Sequence, residues 1–136
     1  LAFACNRDSE VGHEADIAIE VIVGPEILSG STRLKSGTAT KMVLNMLTTG
    51  AIIQLGKTYG NMMVDLRATN IKLRARACRL VKTICQVDET LAQDALQLAN
   101  GETKTAIVML RLGVDAALAR KRLEEAGGRL KRALGN

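Results

Sequence analysis

Aromatic side chains are almost missing from this chain: it has no tryptophan, and Phe3 and Tyr59 are its only phenyl rings. That excludes a core of stacked rings and removes the platform on which single-stranded nucleic acid would stack. A core must then come from Leu, Ile, Val, Ala and Met, which suits helical packing. Three cysteines, an odd number without CxxC spacing, exclude a disulfide framework and a zinc site and point to a reducing compartment. Cys78 and Cys85 lie seven apart on one helical face and read as buried free thiols. The single His13 has no Cys or His at ligand spacing, so no metal is expected. The longest apolar run, "MVLNMLTTGAIIQLG", is broken by Asn45, Thr48, Thr49, Gly50 and Gln54 and is too short and too polar to cross a bilayer. With no cleavable signal either, the reading is a cytoplasmic protein with no membrane partner.

The 136 residues, 47% of them hydrophobic, are ample for a core. The net charge of +5 is unevenly spread. Residues 67 to 82 hold Arg67, Lys72, Arg74, Arg76, Arg79 and Lys82 with no acid, and residues 111 to 132 hold seven cations against Asp115, Glu124 and Glu125. A basic stripe can face nucleic acid or simply solvate a helix. Without rings or a nucleic-acid motif the solvated face is the reading, and no nucleic-acid partner is expected.

The chain opens on "LAFAC", a strand-like run, and a second run, "DIAIEVIV" at 16 to 23, follows a stretch in which Ser9 can cap one or two helical turns through Ala15. Two runs joined by a helical crossover predict a parallel βαβ unit. Two strands make a poor sheet alone, so further strands are expected from residues upstream or from another chain. The opening thus reads as a cut, with exposed apolar surface expected on residues 1 to 23 and on the helix Met42 to Leu55. That helix is predicted from Thr38, as N-cap, to about Leu55, apolar nearly all round, with Gly56 just past its end. A basic helix from roughly Thr69 to Cys85 carries Ile71, Ala75, Cys78 and Val81 or Lys82 as one stripe. Beyond it, Asp88 caps a helix through Asn100 with Leu91, Ala95, Leu98 and Ala99 on one side. A second helix carries Ala106, Ile107 and Leu110 and stops near Gly113, and Asp115 caps a third carrying Leu118, Ala119 and Leu123. These form a three-helix bundle over 87 to 136, and "RLKRALGN" is its frayed or docked tail.

The stretch "SGSTRLKSGTATK", 29 to 41, has six hydroxyls, three cations and two glycines, and no acid. Ser29, Ser31, Thr32, Ser36 and Thr38 can donate. Together with Arg33, Lys35, Lys41 and the first N–H groups of the following helix they make an anion site suited to one phosphate or carboxylate on a small ligand. The GxxxxGK[ST] pattern does not fit, which excludes a P-loop. Glu26, the one acid between Gly24 and Lys41, can accept from a sugar hydroxyl, move a proton, or pair with Arg33 or Lys35.

The eighteen residues "GPEILSGSTRLKSGTATK", 24 to 41, resemble the signature segment shared by the N-acetylmuramic acid 6-phosphate etherases and the glucokinase regulatory proteins. The following "MVLNMLTTGAIIQLGKTYGNMMVDLRATNIKL", 42 to 73, resembles the etherase pattern, as do "CNRDSE" at 5 to 10 and "KTAIVM" at 104 to 109. The resemblance implies an α/β fold: the C-terminal part of a flavodoxin-like, parallel-sheet α/β/α sugar-isomerase domain (1 to 86), followed by a small all-α bundle like a ubiquitin-associated domain (87 to 136). It implies cytoplasmic homodimers that recycle cell-wall amino sugar, cleaving the D-lactyl ether of N-acetylmuramic acid 6-phosphate to N-acetylglucosamine 6-phosphate and D-lactate. Lactate is eliminated and water added, with two glutamates as acid and base and no cofactor.

Those glutamates lie upstream of the strand matching "LAFAC" in the family, and neither Glu14 nor Glu20 takes their place, so this chain alone is expected to be inactive. By the same resemblance Ser31, Thr32, Arg33 and Lys35 line the sugar-phosphate pocket or its dimer interface. Glu26 sits in a "GPE" setting where related isomerase domains carry an active-site carboxylate. The alternatives are a sugar-phosphate-sensing regulator of the glucokinase regulatory type, binding without chemistry, and a basic helical adaptor whose tail from Asp88 binds a protein or nucleic acid.

Overall fold

The computed structural model describes residues 1–67 and 69–135, so Asn136, the end of the expected tail, lies outside the described residues. The chain is mixed α/β, as expected, and resolves into two compact units, Leu1–Gly50 and Ala51–Asn136.

In the first unit, β1 (Ala2–Ala4), α1 (Glu10–His13) and β2 (Ala18–Glu20) form the expected parallel βαβ unit, with Ala2 opposite Ala18 and Ala4 opposite Glu20. Ser9 caps α1, its Oγ accepting from Gly12 N at 3.1 Å. The same serine donates to Glu20, through N at 3.0 Å and Oγ at 2.8 Å, and Asp8 N donates to the other carboxylate oxygen at 3.1 Å. These bonds, Ser9's backbone first, hold the Glu20 carboxyl below the usual carboxylate range. Gly12 permits this close approach, since a Cβ there would lie 2.7 Å from Ser9 Oγ.

Helix α2 (Lys35–Gln54) starts three residues before the expected cap at Thr38, which lies inside it. Its side chains explain why no single face is buried. Among them Val43 alone is buried; Met42, Met46 and Ile53 make one exposed apolar line and Leu44 and Leu47 another, which Leu55 just past the helix extends. Leu1, Val11, Ile17 and Ile22 are exposed as well, so the apolar surface expected on both stretches is present.

In the second unit, Gly56 (φ +70°) ends α2 as expected. "GKTYGN", read from sequence only as a break, continues into a small antiparallel hairpin, β3 (Thr58–Tyr59) and β4 (Met62–Met63). Then come α3 (Ile71–Cys85), α4 (Glu89–Leu98), α5 (Thr103–Leu112), α6 (Ala116–Glu125) and α7 (Leu130–Ala133). Asp88 and Asp115 cap α4 and α6, each accepting at 2.8 Å from Leu91 N and Leu118 N. Asn70 does the same for α3 through Leu73 N. Gln86 and Gly113 close α3 and α5 in the left-handed conformation.

The core of this unit gathers around Ile107, Leu130, Val64, Val81 and Val108, all fully buried. Helix α3 packs on α4 and α5, α5 on α6, and the tail is docked, with Leu130 and Ala133 buried. The expected stripes hold in part: Cys78, Val81, Ala95, Ala99, Ala106, Ile107, Ala119 and Leu123 are buried, but Ile71 is 86% and Leu98 68% exposed, and Ala77 and Ala92, which the stripes left out, are completely buried. Small residues let the helices approach closely, so these alanines face inward while Ile71 and Leu98 turn out. Cys78 is buried and Cys85 half-buried, both free thiols as expected, and burial pushes both thiols up.

Polar ties fix the edges. Asp65 accepts from Lys104 Nζ at 2.7 Å and Lys57 Nζ at 3.3 Å. Burial opposes its charge, but the two ammonium groups hold its carboxyl below the usual range. Arg129 donates to Gln54 O at 2.7 Å and passes close over Gly56, where an added Cβ would meet its Cγ at 2.5 Å.

Three substitutions test this packing. Ile107→Ala is expected to lower urea-measured stability by about 2–5 kcal/mol through the cavity left behind, while Ile71→Ala has an effect of less than about 0.5 kcal/mol. Gly56→Ala is expected to cost roughly 1–2 kcal/mol from its left-handed backbone alone, and more where Arg129 is displaced from Gln54.

Candidate functional site

The hydroxyl-rich segment leads directly into α2, and a chain of short backbone bonds shapes it. Ser31 N donates to Leu28 O at 3.0 Å, Leu34 N to Ser31 O at 3.1 Å, Gly37 N to Thr32 O at 2.8 Å and Thr38 N to Leu34 O at 3.0 Å. The turn therefore winds into the helix without a gap.

Glu26 fixes this arrangement from the far side of the loop. Its Oε2 accepts from Lys35 N at 2.9 Å and its Oε1 from Ser36 N at 3.0 Å. A carboxylate at a helix N-terminus satisfies two otherwise orphaned N–H groups and lies at the positive end of the helix dipole. The Ser36 and Lys35 backbone donors accordingly hold the Glu26 carboxyl below the usual carboxylate range. Lys35 completes the tie by donating from Nζ to Pro25 O at 3.0 Å. This is why α2 begins at Lys35: its first turn is capped by a residue nine positions upstream.

The first N–H groups of α2, expected to be open to a ligand anion, are thus taken within the chain. Glu26 makes a contact that none of its sequence readings named, a backbone cap that reaches the amide of Lys35 and not its ammonium. Ser31, Thr32 and Arg33 sit on the turn preceding the helix, Ser31 half-buried and the other two exposed. Among the described residues, their side chains take no hydrogen-bond or ion-pair partner. Thr40 Oγ1 donates to Ser36 O at 2.8 Å, and Cys5 Sγ approaches the same carbonyl at 3.8 Å, bringing the "CNRDSE" segment against the signature helix. Beside the tie lies an open, mostly apolar depression lined by Val23, Leu34, Lys35, Thr38, Ala39 and Met42.

Sequence reasoning missed Pro25 O and the Ser36 amide as parts of this site. The separation of Glu26 from Lys35 matches no local capping pattern, and only the lone acid in a donor-rich stretch hinted at it.

Comparison with known proteins bears directly on this segment. Over 135 residues the chain is 53% identical to an N-acetylmuramic acid 6-phosphate etherase of Mycolicibacterium smegmatis, covering 99% of this chain and 45% of that protein. It is 52% identical over 133 residues to the etherase of Serratia proteamaculans and 46% over 134 to etherase 1 of Bacillus licheniformis, covering 98% of this chain each time. The chain is homologous to these etherases. It spans about 45% of the length of the curated relatives it matches, and the aligned stretch takes in the whole signature segment. Residues 60–100 also match the family described as the C-terminal lid domain of glucokinase regulatory protein, a span that includes β4, α3 and α4. Both sides of the resemblance read from the signature are therefore present.

Glu26→Gln keeps the size of the side chain but removes its charge. Amide hydrogen exchange at Lys35 and Ser36 is expected to accelerate at least about tenfold in that variant, with the exchange of α5 unchanged. Equal protection in the two proteins would remove the cap from the account.

Proposed function

We propose that this chain is the C-terminal part of an N-acetylmuramic acid 6-phosphate etherase, a lyase that frees D-lactate from its substrate and leaves N-acetylglucosamine 6-phosphate. The observation that carries the reading is the identity of 46–53% over nearly the whole chain to proteins of that name. In this reading residues 1–86 derive from a sugar-isomerase-type α/β/α domain, and 87–136 form a ubiquitin-associated-like bundle of a cytoplasmic homodimer. The acid and base are supplied upstream.

The role of residues 24–41 is recognition. Arg33, with Ser31 and Thr32 beside it, carries donors that no other group among the described residues uses, and an anionic sugar phosphate satisfies them. Lys35 adds positive charge at the same turn. Glu26 serves as a positioning residue: by holding the Lys35 and Ser36 amides it sets where the turn stands, and its lowered pKa suits a fixed carboxylate better than a proton donor.

The second reading, a non-catalytic sugar-phosphate sensor, is favoured by one observation, the match of 60–100 to a regulatory protein's lid. Lactate release separates the two. The chain is assayed alone and joined to the N-terminal half of the Mycolicibacterium relative, on N-acetylmuramic acid 6-phosphate. Release from the joined protein only is expected, and Arg33→Ala in it is expected to raise KM about tenfold with a smaller change in kcat. A folded joined protein that binds the phosphosugar without releasing lactate selects the sensor. Release by the chain alone contradicts the upstream placement of acid and base.

A further inference from the structure

The first part of the stripe that reads as the apolar face of α3, Ile71 and Ala75, stays outside the core, while Cys78 and Val81 enter it. Ile71, Ala75, Cys78 and Lys82 line one wall of a groove of about 960 Å³, and Gln93 and Leu96 of α4 line the other. The wall from residue 71 to 82 runs about 16 Å at the rise of an α-helix. Its floor is made by the buried Cys78 and Leu96, and Ile71 stands exposed at one end. A trough with an apolar floor between two helices has the shape that accepts a third helix.

Charge narrows the choice of occupant. Residues 67 to 82 contain no acid. Arg74 and Arg79 open onto the groove and form no ion pair among the described residues. At the other end Lys82 does have a partner, Glu89 on the neighbouring helix, at 3.2 Å. That pair shows how this wall takes a carboxylate carried on a helix, and the two arginines offer the same contact unfilled. A nucleic acid suits the site less well, because the floor is apolar and offers no ring for a base.

We propose that the groove between α3 and α4 docks an acidic amphipathic helix of a partner protein, its apolar side on Ala75, Cys78 and Leu96 and its carboxylates on Arg74 and Arg79. This goes beyond the etherase reading and holds whether or not the chain is part of a lyase.

The test titrates the full chain into a fluorescein-labelled synthetic helix of about eighteen residues, with leucines on one face flanked by glutamates. One-to-one binding is expected, with amide shift changes confined to residues 71–82 and 89–101 of the 136. The double variant R74E/R79E is expected to weaken binding at least about tenfold, and Ala75→Trp, which fills the trough without altering charge, to do the same. All three positions are exposed, and circular dichroism confirms the fold of each variant. A helix with lysines in place of the glutamates is expected not to bind. Absence of binding overturns the proposal. So does equal binding of polyglutamate or single-stranded DNA, which reduces the groove to a polyanion surface, and so does self-association that shifts the same amides, which makes a second copy the occupant.

Discussion

Two hydrogen bonds accepted by one carboxylate organise the signature segment. Glu26 accepts the amides of Lys35 and Ser36, and through them joins the Gly24–Pro25–Glu26 turn to the first turn of α2. Every residue between is then confined to a closed loop whose ends cannot separate without unmaking a charged cap. The stabilisation follows the sign of a depressed carboxyl pKa: it is present above the ordinary carboxylate range and is lost as pH falls through the lowered value. Glu20 repeats the device on a smaller scale, accepting from Asp8 and Ser9 to seat α1 against β2. In a first unit with few buried apolar side chains, carboxylates bound to backbone amides do much of what packing does in the second.

The second unit is held differently. Its alanine lines, Ala77, Ala92, Ala99 and Ala106, bring the helices close enough for Ile107, Val81 and Leu130 to fill the space between them. Lys104 is the polar counterpart, reaching Asp65 before the helices and the Gly128 carbonyl after α6. The same close approach turns Ile71 and Leu98 outward and leaves the α3–α4 groove beside the core instead of filled by it.

Much of this was legible in the sequence. The parallel strand pair, the caps at Ser9, Asp88 and Asp115, and the glycine stops at Gly56 and Gly113 all rest on local backbone chemistry and appear where that chemistry puts them. The partial rotation of the α3 and α4 stripes was not legible, because hydropathy ranks Ile71 and Leu98 above Ala77 and Ala92 while close helix contact prefers the smaller side chain. The start of α2 was misplaced for a related reason. Thr38 is a good cap by local rules, and a distant carboxylate overrides it. The etherase relationship was readable from the long signature and is borne out by identity over nearly the whole chain. The exposed apolar lines of α2 fit a chain that spans less than half the length of those relatives.

The central claim is that Glu26 is an ionised cap on α2, and an NMR pH titration tests it most directly. The amides of Lys35 and Ser36 and the side-chain carboxyl of Glu26 are followed together in the native chain and in Glu26→Gln. The account predicts one shared titration with a midpoint below the usual carboxylate range, absent from both amides in the variant. A Glu26 carboxyl that titrates at its ordinary value while the two amides stay still would contradict it.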